Sequence, residues 1–348
     1  MIQAAFLVAL VAGPLLSKKV EHNIELYFLA LAAAGATIGD IWSLHLLEEA
    51  LLHPVALYQP GIGYIPVGIT QVVLFAGLAF YALRRRLAGW ADKLAQPAAI
   101  AVLIAVMGFS SSVISAIVAS AIMAELLAFA KAPHAYKAKA AVYAAYAIGV
   151  GAALLPIGEP LSTIAIAKLK AHFFYLVDVL VDAVALVVIF FAAYAYVQLR
   201  RYKPAEAEIV PYEPELKEVV LRAVKIFVFI FALTILGEFF KPLANAAATL
   251  GKELLYIFGA ISAVADNATL VAALVSPEMA AEVLRAFLIS LVISGGFTVP
   301  GNVPNIVFAS VLKIGFKEWL RLALPIGVAV FAAMGAYILF IAPHPPLA

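Results

Sequence analysis

Long apolar runs alternate with short clusters of Lys and Arg along the whole chain, and the polar positions inside those runs fall in a few compact islands. Runs over residues 1–16, 24–39, 69–83, 177–197, 219–240 and 322–341 read as membrane helices, because each is continuously apolar and bounded by charge or turn residues. Residues 1–16 are read as a helix rather than a signal peptide, since the basic residues follow the run instead of preceding it. Residues 40–49 alternate apolar and charged positions at helical spacing and predict an interfacial helix. The Pro- and Gly-rich stretch 53–68 predicts a loop, and residues 204–217, with Pro, Glu and Lys, a linker.

Four stretches depart from the simple span. Residues 98–130 are apolar but carry Ser110, Ser111, Ser112, Ser115 and Ser120, with Glu125 near the end. Residues 140–171 are broken at Pro156-Ile157-Gly158-Glu159-Pro160. Residues 254–276 hold Asp266 and Asn267 in an otherwise apolar segment. Residues 283–313 are broken from Gly295 to Asn305. A gapless alignment of residues 114–122 with 261–269 places Ser115 on Ser262, Ala119 on Asp266, Ser120 on Asn267 and Ile122 on Thr269. Aligning 158–169 with 301–312 places Glu159 on Asn302 and Ser162 on Asn305. The order of unusual features, more than the identities, predicts an internal repeat: residues 1–203 contain one copy and 218–348 the other.

Charge placement gives the repeat its orientation. Putting the basic clusters at 18–19, 84–86, 131–139, 200–203 and 313–321 in the cytoplasm forces residues 98–130 to enter and leave on that side. Residues 254–276 then enter from the opposite side, so the repeats are inverted. The predicted fold is an all-α polytopic membrane protein of about eight transmembrane helices, with two re-entrant hairpins (98–130 and 254–276), two broken helices and both termini outside. Irregular backbone at membrane depth is tolerated only where it is buried in protein or lines a watery cavity, so hairpin tips and breaks should meet near the midplane.

Composition sharpens the class. The chain has 348 residues, 66% hydrophobic and 13% charged, with mean hydropathy +1.06, about half the usual share of charge. No polar run is long enough for a separate soluble domain. The absence of Cys excludes disulfides and thiolate metal sites. The His residues are scattered without ligand spacing, and no phosphate-binding loop, dinucleotide fingerprint or nucleophile motif occurs, so no resident cofactor, enzyme chemistry, ATP hydrolysis or nucleic-acid partner is expected.

The candidate chemistry is that of a cation site. A carboxylate at membrane depth costs about 2.5–3.5 kcal/mol on insertion scales, so Asp266 and Glu159 call for a function. Hard cations prefer carboxylate, carbonyl and hydroxyl oxygens. Burial raises a carboxyl pKa and a bound cation lowers it, so such a group can exchange a proton for Na⁺ or another cation. Asn267, Thr269, Asn302, Asn305, Ser120, Ser162 and Thr163 would complete the oxygen shell, with Glu125, Ser262 and Thr298 as further candidates. Each acid also has a bland reading: Asp266 and Glu159 as helix caps, Glu125 snorkelling toward Lys131. Asp178 and Asp182, one helical turn apart, read as an interfacial or paired face, and Glu238 with Lys241 as a structural pair. The residue-level reading is a secondary transporter exchanging a cation for protons; a sodium-coupled organic-anion symporter or an arsenite-type permease is the alternative.

Residues 18–23, 42–49, 157–166, 263–269 and 301–305 together resemble the ion transporter superfamily, which includes arsenite permeases, sodium/proton antiporters and dicarboxylate symporters, and among these its uncharacterised family of predicted cation transporters. The resemblance implies a multi-pass protein of a prokaryotic plasma membrane, a homodimeric scaffold embedded in lipid, and a mobile domain working by an elevator motion. It implies that Ser120 with residues 158–163 forms one half-site, and Asp266, Asn267, Thr269 with residues 301–305 the other. The first hairpin departs from the pattern, because Ala119 and Ala121 flank Ser120 where polar residues are expected.

Overall fold

A computed structural model describes residues 2–59, 63–65, 68–88, 91–202, 215–246, 251–264, 267–276 and 279–342. Most of the predicted linker, and Asp266, lie outside the described residues. The first part of the chain forms α1 (Ile2–Leu16), α2 (Lys18–His22), α3 (Ile24–Ile38), α4 (Leu44–Leu52), α5 (Ile69–Ala88) and α6 (Ala91–Leu94). Then come α7 (Pro97–Ile114), α8 (Ala116–Phe129), α9 (His134–Gly151), α10 (Pro160–Leu169) and α11 (Tyr175–Leu199). The second part forms α12 (Leu216–Ala246), α13 (Lys252–Phe258), α14 (Asn267–Leu274), α15 (Ala281–Ser294), α16 (Val303–Leu312) and α17 (Phe316–Ala336).

Among the described residues four helical stretches are long and apolar enough to cross a membrane: Pro97–Ile114, Tyr175–Leu199, Leu216–Pro242 and Phe316–Ile341. Shorter apolar helices include Ile2–Leu16, Ile24–Ile38 and Ile69–Leu83. Apart from one short strand pair, the described residues are thus helical, with the apolar spans of a membrane protein.

Local sequence explains most boundaries. The Ser43 hydroxyl accepts from Leu46 N (3.0 Å) and starts α4, and Pro97 and Pro160 occupy first turns, where a missing N–H is harmless. Two expectations are corrected. Residues 53–68 are not all loop: Leu57–Gln59 (β1) pairs antiparallel with Gly63–Ile65 (β2), and Leu, Tyr and Ile at these positions suit a strand. The helix over 69–83 continues to Ala88, since Arg ends an apolar run but remains a good helix former.

The contacts define two ends. Lys131 pairs with Asp92 (3.0 Å), His134 with Glu318 (3.1 Å), Lys313 with Glu218 (2.9 Å) and Lys225 with Glu25 (2.9 Å). Tyr202 donates to Ala135 O at the same end (3.5 Å). The basic clusters of the two halves therefore gather at one end, the basic end. At the far end Lys252 meets Glu282 (3.8 Å) and Arg285 meets Asp182, which also accepts from Tyr337 Oη (2.7 Å).

Two helical hairpins have their open ends at these two ends. The start of α7 and the end of α8 meet at the basic end through Asp92–Lys131 and an apolar cluster of Leu94, Phe129 and Ala130. The chain breaks between them at Ser115, a non-glycine residue at φ 74°. This places the hairpin tip at Ser115 rather than Ser120. The Ser115 hydroxyl accepts from Val118 N (3.3 Å) and caps α8, whereas Ser120 lies inside α8 and donates to Ile117 O (3.0 Å). The second hairpin is α13, a 3-10 turn over Gly259–Ala263, and α14, opening toward the far end where α15 starts.

Packing repeats between the halves. The first arm of each hairpin lies along a helix of its own half, α7 on α9 and α13 with its turn on α15. The second arm packs on a short helix of the other half, α8 on α16 and α14 on α10. Ser111 donates to Ile148 O (3.0 Å) and Ser294 to Gly259 O (2.7 Å) along the first pairing. A Cβ on Gly151 would sit 1.8 Å from Gly108 O, so α7 and α9 approach only through glycine. Against this body lies a second layer in which α12 packs on α3, α4 and α5.

Candidate functional site

Both broken helices are irregular where the hairpin tips arrive. After α9 the backbone turns through Ala152–Leu154 and extends at Leu155, then Gly158 and Glu159 lead into α10. A Cβ on Gly158 would lie 2.0 Å from Ala152 O, so the turn requires glycine. Gly158 O accepts from Ala116 N (2.8 Å), tying the first hairpin tip to this break. Ser162 fastens the break by donating to Ala153 O (3.0 Å), and Thr163 by donating to Pro156 O.

The second break is held by a denser network. Asn305, fully buried, donates through Nδ2 to Gly295 O (2.8 Å) and Thr298 O (2.7 Å). Thr298 donates to Ala263 O, and Ser262 to Asn267 Oδ1 and to Leu291 O (2.9 Å), which binds the second hairpin to its break. Asn302 Oδ1 accepts from Val303 N (2.8 Å) and caps α16. The two short helices end alike, on Lys170 and Lys313 in left-handed conformation at φ 53° and 55°.

The tips and breaks enclose a cavity of about 210 Å³. Its polar lining comes from both halves: Ser115, Glu159 and Thr163 from one, Asn267 and Asn302 from the other. The α12 layer closes it with Ile230, Leu233 and Thr234, and with His53, whose Nδ1 lies 2.9 Å from Thr234 Oγ1. Glu159 is 8% exposed and is the one carboxylate among the described residues lining the cavity. It stands at the N-cap position of α10 in extended conformation, yet its side chain makes no cap hydrogen bond. The carboxylate, two amides and two hydroxyls supply oxygen donors for a hard cation. Among the described residues no group of three or more His, Asp or Glu could hold a metal ion.

A second cavity of about 750 Å³ opens at the basic end between α12 and α16. Arg222, Lys225, Lys313, Lys317 and Arg321 line it together with Glu25, Glu218 and Glu318.

The candidates from sequence divide accordingly. Glu159, Thr163, Asn267 and Asn302 meet in the cavity. Ser162, Asn305, Ser262 and Thr298 hold the surrounding backbone, and Ser120 is spent inside α8. Asp266 lies outside the described residues, as does the side chain of Thr269 on α14. Glu125 does not snorkel: it pairs with Arg222 of α12 at 2.9 Å, with side chains 2% and 8% exposed. Asp182 belongs to the far-end group with Arg285 and Tyr337, Asp178 lies 3.6 Å from His172, and Glu238 pairs with Lys241 (3.1 Å).

Ser115, His53, Thr234 and Arg222 are the residues sequence reasoning missed. Arg222 had a readable signal, a cation inside the apolar run of α12 that could complement the lone acid Glu125. His53 and Thr234 meet across 181 positions and carry no local signal. A comparison with curated proteins finds no match. A family model described as a protein of unknown function, DUF1646, matches residues 1–341; the chain belongs to that family.

Proposed function

We propose that this protein is a secondary transporter that exchanges Na⁺ or a related cation for protons. The observation carrying this reading is the convergence of Glu159 with Asn267 and Asn302, from opposite halves, on one cavity. A buried carboxylate with neutral oxygen donors holds either a proton or a cation, but disfavours both together. Asp266, next in sequence to Asn267, is the second acid of the proposal.

The reading includes about eight spans and two re-entrant hairpins in inverted repeats, as in the ion transporter superfamily. It is supported by the hairpins running in from opposite ends and by the exchanged packing of α8 on α16 and α14 on α10. With the basic end cytoplasmic, the body bearing the cavity moves past the α3–α5–α12 layer. The buried Glu125–Arg222 pair joins the two in the present state.

Proteoliposomes carrying a pH dye test the proposal. Na⁺ added to one side should collapse a pH gradient, and Glu159→Gln and Asp266→Asn should each abolish the response while leaving the folded protein intact. Unchanged responses in both variants would remove these acids from the mechanism. The excess of Lys and Arg around the larger cavity favours the second reading, an anion carrier. Anion-dependent uptake without proton movement would select it.

A further inference from the structure

The two cavities share a wall. On α16, Ile306 lines both, and Ser310, one turn further on, lines only the larger. On α12, the larger cavity ends at Phe229 and the smaller begins at Ile230. Val299 lines one and its neighbour Pro300 the other. The waist between them is therefore made of Phe229, Ile230, Val299 and Ile306, all apolar and between 3% and 6% exposed. Apolar constrictions of this kind stop ions by excluding water rather than by charge.

We infer that the larger cavity is the aqueous vestibule through which the site communicates with the basic end, and that Ile306 is the gate that closes it in this state. Phe229 is anchored by Phe28, with ring centroids 5.0 Å apart, so it belongs to the fixed side of the waist. Ile306 sits two turns from Ser310's end of α16, on the short helix that follows the second break. A small rotation or shift of that helix moves its side chain out of the waist. Closure by an apolar waist also explains how a site with a carboxylate is kept apart from a charged vestibule a few residues away.

This inference uses the transport reading for its purpose, but its test needs no transport. The chain contains no Cys, so single-cysteine variants report one position each. Ser310→Cys marks the vestibule and Ala268→Cys the smaller cavity. Both are reconstituted in vesicles and treated, from one face at a time, with a hydrophilic, membrane-impermeant methanethiosulfonate. Ser310→Cys should react from the face carrying the basic end. Ala268→Cys should react slowly, and about tenfold faster from that same face when Ile306→Ala is added. Val299→Ala provides the same widening if Ile306→Ala does not fold. The inference is overturned if Ser310→Cys is unreactive from both faces, or if neither widening variant accelerates Ala268→Cys. Failure of the pH-dye assay with these labelling results intact would count against the exchange reading alone.

Discussion

The two broken helices share a design and differ in what they present to the cavity. Each ends a buried helix at a glycine-dependent turn, restarts with a proline in the first turn, and stops at a left-handed lysine. In the second break the polar side chains are consumed by backbone: Asn305 bridges Gly295 and Thr298, Thr298 reaches Ala263, and Asn302 caps its own helix. In the first break Ser162 and Thr163 do the fastening, and the cap-position acid Glu159 lines the cavity. One break is chiefly a structural clamp; the other presents charge. A site built from both is asymmetric in chemistry even though its framework repeats.

That contrast predicts a graded set of outcomes. The largest belongs to Glu159→Gln, which should lower cation/proton exchange by about 100-fold with little change in melting temperature. Its positional counterpart, Asn302→Ala, should lower exchange by no more than about tenfold, since it removes one neutral donor. Equal losses in proteoliposome flux would erase the asymmetry. Stability should show the reverse ranking. Asn305→Ala, which frees two buried carbonyls, should cost about 2–3 kcal/mol, and Ser162→Ala about 1 kcal/mol, in detergent unfolding. The smallest effect is shared: Lys170→Gly and Lys313→Gly should each stabilise by up to about 1 kcal/mol by relieving the left-handed backbone. A gain at one and a loss at the other would show that the helix ends are not equivalent.

Much of this was legible in the chain. The lone acids, the breaks at 156–160 and 295–305 and the basic clusters gave the elements, the two breaks and the common basic end, because each is a local departure from apolar sequence. The hairpin tip was displaced by one helical turn, since in Ala-rich sequence the register of an alignment rests on few side chains, and Ser115 and Ser120 are equally polar. Ser120 illustrates the general limit: a hydroxyl can satisfy itself on the preceding turn, so its presence in an apolar run does not tell a ligand from a helix residue. Glu125 shows the other limit, because its partner Arg222 lies 97 positions further on and only the tertiary fold brings the charges together.

The most direct measurement of the central claim is proton release from the purified protein in weakly buffered detergent solution when Na⁺ is added. The account predicts a saturable release from the wild-type chain that disappears in Glu159→Gln and survives in Asn302→Ala. Release of the same size from Glu159→Gln would contradict it.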